Sequence, residues 1–88
     1  MLYARNPEII FNQVDGDLVL LDIQRGKYFA INQVGCSIWN MISNPTNIDD
    51  LVTRLLLEYD VPAEICRKET ATFLQQAGQL GFINMTDE

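Results

Sequence analysis

The fold is decided between residues 9 and 35, which read IIFNQVDGDLVLLDIQRGKYFAINQVG. Two short polar segments, Asp15-Gly16 and Gln24-Arg25-Gly26, separate three apolar runs in this stretch. Glycine after an acidic or basic residue favours a tight turn because it tolerates positive φ angles. The stretch therefore predicts a three-stranded antiparallel meander with edge strands first and third, at residues 9–14, 17–23 and 27–31.

The hydrophobic period changes to that of a helix after Asn32, whose side-chain oxygen suits a helix N-cap. Asn44-Pro45 predicts the end of this first helix, because the residue before proline avoids helical angles. Thr46-Asn47-Ile48-Asp49 has the form of a capping box and predicts the start of a second helix.

Pro62 suits the first position of a third helix, which we expect to end near Gln79, before Gly81. The predicted inner face of this helix consists of Cys66, Thr70, Phe73, Leu74, Ala77 and Leu80. Residues 84–88 are expected to form a frayed tail. Three strands followed by three helices predict an α+β domain. The 88 residues, 48% of them hydrophobic, suffice for a single domain over 1–88, with its core at about residues 9–83.

Composition also predicts the environment of the chain. No stretch approaches the roughly 20 apolar residues that a membrane span needs. Met1 to Pro7 lacks the basic start and apolar block of a signal peptide, so we expect a cytoplasmic protein without a membrane partner. Cys36 and Cys66 lack metal-ligand spacing and are predicted to be reduced and buried, with a disulfide as the alternative.

No residue pattern in the sequence predicts catalysis. The chain has no histidine, which removes the commonest general base and metal ligand. Asp15, Asp17 and Asp22 are the closest approach to a carboxylate cluster, and the turn and the strand start account for the first two. Cys36 is interpreted as a small core residue near a helix start rather than as a nucleophile. We therefore expect a protein that is not an enzyme and holds no metal or cofactor.

The predicted third strand, Lys27 to Ile31, would leave one edge unpaired. Apart from Lys27, it has none of the charges or prolines that usually protect such an edge. One interpretation is that a peptide adds to this edge as a further strand, with Tyr28 and Phe29 as apolar contacts. The other is that Tyr28 and Phe29 pack in the core and the N-terminal arm covers the edge. The residues alone leave both open.

The chain resembles the PqqD-like family from about Ile9 to Ile83. The most specific segment is Gly26 to Gly35, GKYFAINQVG, followed by Ile38-Trp39. Similar elements are Pro45-Thr46, Leu51, Leu55, Glu58-Tyr59-Asp60-Val61, Phe73-Leu74 and Leu80-Gly81-Phe82-Ile83. Phe29 departs from the pattern, since a second tyrosine is common at this position.

The resemblance implies a winged-helix-like fold and a function in recognising the leader segment of ribosomally made, post-translationally modified peptides. It implies that the leader peptide adds as a strand beside the third strand, in a groove shared with the third helix. Carried onto this chain, the groove residues are Lys27, Tyr28, Phe29, Ala30 and Ile31 from the strand and Glu69, Thr72, Phe73, Gln76 and Leu80 from the helix. Gly35, Ile38 and Trp39 also belong to the pattern and are assigned to folding.

The implied partner is a separate enzyme. Stand-alone relatives serve a leader protease and a cyclase in lasso-peptide pathways, or radical-SAM enzymes as in pyrroloquinoline quinone synthesis. The short chain without a fused domain favours the lasso type. An exposed edge strand could also pair two copies of the chain into a homodimer.

Two other function classes remain as alternatives. A winged-helix DNA-binding regulator would share the fold. However, the net charge is −6, and Arg54 in the second helix is opposed by Asp49, Asp50 and Glu58, whereas nucleic-acid binding needs basic residues. The other alternative is a structural subunit of an enzyme complex without peptide affinity of its own.

Overall fold

The computed structural model describes residues 1–15 and 17–87. The elements in this part of the chain are β1 (Leu2–Arg5), β2 (Ile10–Val14), β3 (Asp17–Asp22), β4 (Lys27–Ile31), α1 (Gln33–Met41), α2 (Ile48–Glu58), α3 (Ala63–Gln79) and β5 (Ile83–Thr86). The architecture is α+β, as the sequence predicts.

The predicted meander is present as an antiparallel sheet in the order β2-β3-β4, so the first and third of its strands are the edges. Leu20 in the central strand pairs with Phe11 on one side and Phe29 on the other. Leu18, Leu20 and Asp22 alternate as the buried residues of β3, which places the core on one face of the sheet. Asp15 and Gly26 have positive φ angles of 52° and 67°, as the two tight turns require; Gly16, the other residue of the first predicted turn, lies outside the described residues.

The first two helices begin at asparagine caps. The Asn32 side chain accepts a hydrogen bond of 3.0 Å from the backbone N–H of Gly35, as predicted for α1. In α2 the cap is Asn47, whose side chain accepts from Asp50 at 2.8 Å, and not Thr46 as the capping box suggested. The backbone of Thr46 instead pairs with Tyr3 through two hydrogen bonds of 2.9 and 3.0 Å, which fixes it outside the helix.

The third helix has nearly the predicted limits, with Pro62 directly before it as the cap residue. It ends at Gln79, and the φ of 85° at Gly81 then lets the chain reverse so that the N–H of Phe82 donates to the Ala77 carbonyl at 2.9 Å. Cys66, Thr70, Leu74 and Ala77 are buried on its inner face, whereas Phe73 and Leu80 are only partly buried.

The expectation of a frayed tail was wrong for residues 84–86. These residues belong to β5, which pairs antiparallel with β1 in a separate two-stranded sheet, with Tyr3 opposite Met85. Tyr3 is partly buried against the core, so the packed region extends beyond residues 9–83. The partner strand lies about 80 positions away in sequence, which no local pattern reveals; Glu88 lies outside the described residues.

A single cluster of buried side chains holds the sheet and helices together. Its largest fully buried members are Trp39, Phe82, Leu20, Ile38, Ile42, Leu51, Leu55 and Leu74. Both cysteines are free, with Cys66 buried and Cys36 only partly so. Among the described residues, no helix is both long and apolar enough to cross a membrane.

Candidate functional site: the free edge of β4 and the adjoining groove

The candidate site begins at the outer edge of β4, which we call the free edge (Lys27–Ile31). β4 pairs with β3 on one side, and within the described residues no strand lies along its other side. The N-terminal arm does not cover the free edge, because its strand β1 pairs with β5 instead. An unpaired row of backbone N–H and C=O groups is a template for another strand.

The two sides of β4 have different surroundings. Tyr28 lies on the outer face of the sheet, in one row with Leu21 and Ile10, and its side chain is 74% exposed. Phe29 points to the inner face, where its ring stacks on Phe73 and Phe82 at centroid distances of 6.1 and 5.7 Å. Phe29 therefore packs in the core, whereas Tyr28 is exposed to solvent. The second interpretation is thus right for Phe29 but wrong for Tyr28 and for the N-terminal arm. Contact of these side chains with a peptide stays a prediction.

The predicted groove residues of α3 lie on one face because their spacing is that of a helix. Glu69, Thr72 and Gln76 are exposed, and Phe73 is partly buried through its contact with Phe29. These four residues line the same cavity. Leu80 does not line it and packs against the core instead.

The cavity opens between α1 and α3, directly beyond the end of β4, and we call it the α1–α3 cavity. Its volume is about 570 Å³, within the range of roughly 300–1,000 Å³ typical of ligand sites. The residues that complete its lining are Asn32, Val34, Gly35, Ile38, Ile65 and Lys68. Residues of the free edge do not line the cavity but adjoin it, since Gly35 lies closely against Ile31 and Phe73.

Sequence reasoning missed the six residues that complete this lining. Gly35 and Ile38 were assigned to folding, yet they also form part of the cavity wall. Ile65 could have been found from sequence, because it lies four residues before Glu69 and continues the same helical stripe. The lining residues of α1 could not have been found in this way, because no local sequence pattern indicates that the first turn of α1 faces α3.

The charges around the groove are few and balanced. Lys68 and Glu69 carry opposite charges at the cavity, and α1 has no acidic residue in its first turn. Outside the cavity lining, Arg25 lies against Gly81 and forms an ion pair of 3.8 Å with the buried Asp22. In residues 1–15 and 17–87, no three histidine, cysteine or acidic side chains come together as a metal site would require.

The fold and site define a class of protein: a small winged-helix-like α+β domain with an unpaired strand edge beside a helix-lined groove. The model of the family described as coenzyme PQQ synthesis protein D (PqqD) matches residues 17–83. The chain belongs to this family. The match contains β3, β4 and all three helices, which together form the free edge and the α1–α3 cavity. No curated protein matches the sequence.

Two solved structures share the architecture. One is TbiB1 in complex with the TbiA(beta) leader peptide, with a TM-score of 0.84 and 21% identity over 97% of this chain and 99% of that one. The other is lasso peptide synthetase B1 complexed with the leader peptide, with a TM-score of 0.82 and 24% identity over 94% of this chain and 98% of that one. At these identities the likeness establishes the fold.

Proposed function

We propose that this protein binds the leader segment of a ribosomally made precursor peptide and presents it to a separate modifying enzyme or leader protease. The observation that carries the proposal is the free edge of β4, which pairs with no strand of residues 1–15 and 17–87 and adjoins the α1–α3 cavity. Family membership supports it, as do the two similar structures, both of which are leader-peptide complexes.

The free edge supplies affinity through main-chain hydrogen bonds, as in other cases of strand addition. About five backbone bonds at ~1 kcal/mol each and one or two buried side chains at ~2 kcal/mol each give a gross gain of about 7–9 kcal/mol. Ordering a flexible peptide costs about 2–5 kcal/mol. The difference corresponds to weak binding by the edge alone and to roughly micromolar binding with a good side-chain pocket.

The protein would act by raising the concentration of the precursor near the enzyme, without making or breaking bonds itself. The lasso-type partners, a leader protease and a cyclase, are the ones we propose. We also propose a cytoplasmic location, because ribosomes release precursors there. A second copy of the chain pairing at the free edge would compete with the peptide.

The test is titration calorimetry with a synthetic leader segment from the short precursor encoded beside this gene. We expect one peptide per chain to bind with a Kd of about 1 μM or below. Tyr28→Asp should weaken binding about tenfold, because it places a charge beside the added strand. Phe29 is a poor choice for this test, because its ring stacks on two core aromatic rings.

Ile10→Asp is the matched control, because Ile10 is 47% exposed on the same face of the sheet at the opposite edge, on β2. It should change the Kd less than twofold. Equal effects of the two variants, or no binding by any neighbouring precursor, would contradict the proposal.

A further inference from the structure

The free edge of β4 is charged at one end only. Lys27 is the first residue of the strand, and the four residues after it, Tyr28 to Ile31, carry no charge. Beyond Ile31 the α1–α3 cavity carries Lys68 and Glu69, whose charges balance each other. The two ends of the free edge therefore differ in charge, and a strand that pairs with β4 would meet this difference along its length.

The carboxylate opposite Lys27 is already bound to another cation. Asp22 faces Lys27 in the pairing of β3 with β4, but its Oδ1 accepts the backbone N–H of Arg25 at 3.2 Å and its Oδ2 lies 3.8 Å from Arg25 Nε. Within residues 1–15 and 17–87, no carboxylate forms an ion pair with Lys27. Two cations thus share one buried carboxylate, which leaves an excess of positive charge at this end of the free edge.

The Lys27 side chain projects from the face of the sheet that the helices cover. Residues directly opposite each other on paired strands project from the same face, and Asp22 projects from the inner face together with Leu20. Lys27 is nevertheless exposed, since it lies on the edge strand. In a peptide paired with β4, the residue opposite Lys27 would project from the same face, with the two Cβ atoms about 5 Å apart. An acidic side chain at that position reaches the ammonium group.

Backbone hydrogen bonds alone do not fix the register of an added strand. Because side chains alternate with a period of two, a slip by two residues restores both the pattern of bonds and the facing of the side chains. A charged contact at one end of the edge distinguishes these registers, since a slip moves the opposite charge away from Lys27. Electrostatic contacts at interfaces contribute to specificity in this way more than to affinity.

We propose that Lys27 pairs with an acidic residue, aspartate or glutamate, of the bound peptide, and that this pair sets the register of the peptide on the free edge. The acidic residue lies at the end of the segment that pairs with β4, directly opposite Lys27. The inference rests on the proposed peptide binding and adds a charge-selective contact to it. Replacing the acidic residue with lysine turns an attractive cross-strand pair into a repulsive one, and should weaken binding about 3- to 20-fold.

The probe is the tightest-binding peptide that wild-type protein selects from a displayed library of random 20-residue sequences. N-methylation of single backbone amides identifies the segment that pairs with β4, because a methylated amide cannot donate a hydrogen bond. Replacement of each acidic residue by lysine, followed by calorimetry, then identifies the residue opposite Lys27. We expect one acidic residue, at one end of the paired segment, for which this replacement has the effect given above.

Exchanging the charges tests the contact directly. Lys27→Glu should prefer the lysine form of the probe over the acidic form, the reverse of wild type, and ~1 M salt should reduce both preferences. Lys27→Gln should bind the two forms within about twofold, and it replaces Lys27→Glu if a glutamate opposite Asp22 disturbs folding. Arg54→Glu is the matched control, because Arg54 is exposed on α2 and its reversal changes the net charge equally. This control should keep the wild-type preference.

The outcomes separate the two proposals. If wild-type protein selects no peptide, peptide binding itself fails, and the charge contact fails with it. If a probe binds but wild type and the Lys27 variants show the same preference, the contact is wrong while peptide binding stands. The same conclusion follows if the probe has no acidic residue at either end of its paired segment. It also follows if Arg54→Glu loses the preference to the same extent, because overall charge would then explain it.

Discussion

Arg5 shows how one side chain can join three elements. Its Nε donates a 2.8 Å hydrogen bond to the backbone carbonyl of Trp39. Its guanidinium carbon lies 5.0 Å from the ring centroids of both Phe11 and Trp39. Burial disfavours the charged form and lowers the pKa of Arg5 from its ordinary value. Arg5 thus links β1 to α1 and β2, although in the sequence it is one of six scattered basic residues.

Replacing Arg5 with methionine keeps a long stem but removes the hydrogen bond and the charge over the rings. We expect Arg5→Met to lower the free energy of unfolding by about 1–3 kcal/mol. In a domain of this size that corresponds to a Tm lower by roughly 4–8 °C per kcal/mol. Arg54→Met, at an exposed position on α2, is the control in the same thermal scan. Equal Tm values for the two variants would mean that the Arg5 contacts contribute nothing.

At the scale of elements, the asparagine caps of α1 and α2 form a natural pair for comparison. Each side chain accepts one backbone N–H in the first turn of its helix. Only Asn32 also lines the α1–α3 cavity, whereas Asn47 lies at the far side of the α1–α2 connection. The two caps should therefore contribute equally to the free energy of unfolding, but only Asn32 also contributes to the candidate site.

We expect Asn32→Ala and Asn47→Ala each to destabilise the fold by about 1 kcal/mol, measured by denaturant unfolding. Peptide affinity, measured by calorimetry below the unfolding transition, should separate them. Asn32→Ala loosens the turn that forms one wall of the cavity and should weaken binding severalfold, whereas Asn47→Ala should leave the Kd unchanged. Equal loss of affinity in both variants would mean that the first turn of α1 plays no part in binding.

Strands and helices that depend on local patterns could be predicted from the sequence. The apolar run of β3, helical spacing in α2 and α3, and the turn at Gly26 each depend on neighbours within a few residues. The start of α2 was misplaced by one residue because Thr46 and Asn47 are both good caps. Asn47 is the cap because the backbone of Thr46 pairs with that of Tyr3, more than 40 positions away in the sequence.

The whole molecule depends on contacts that no local pattern reveals. The free edge and the α3 face were predicted, but the α1 side of the cavity requires α1 and α3 to lie side by side. The pairing of β1 with β5 likewise joins the two ends of the chain. Gly78 illustrates the point: its lack of a side chain weakens a helix locally, yet it lets Met85 of β5 lie directly against α3.

The β1–β5 pairing gives a test at this scale. Deleting residues 84–88 removes three of the four β5 residues that pair with β1, and with them the contact of Met85 with Gly78. Loss of several backbone hydrogen bonds at about 0.5–1.5 kcal/mol each should destabilise the protein by roughly 1–4 kcal/mol, a change that a thermal scan detects. Peptide affinity should change less than twofold at a temperature where the shortened chain is folded, because other elements form the free edge and the cavity.

Deleting only residues 87–88 is the matched control, since it shortens the chain but leaves β5 intact. This variant should keep the wild-type Tm, because Asp87 is exposed and lies after the last paired residue, Thr86. If the two deletions had the same Tm, residues 84–86 would contribute nothing to stability and the frayed tail expected from the sequence would be the better description. If the longer deletion also abolished peptide binding in a folded protein, the two ends of the chain would have to act on the groove through α3, which Met85 contacts at Gly78.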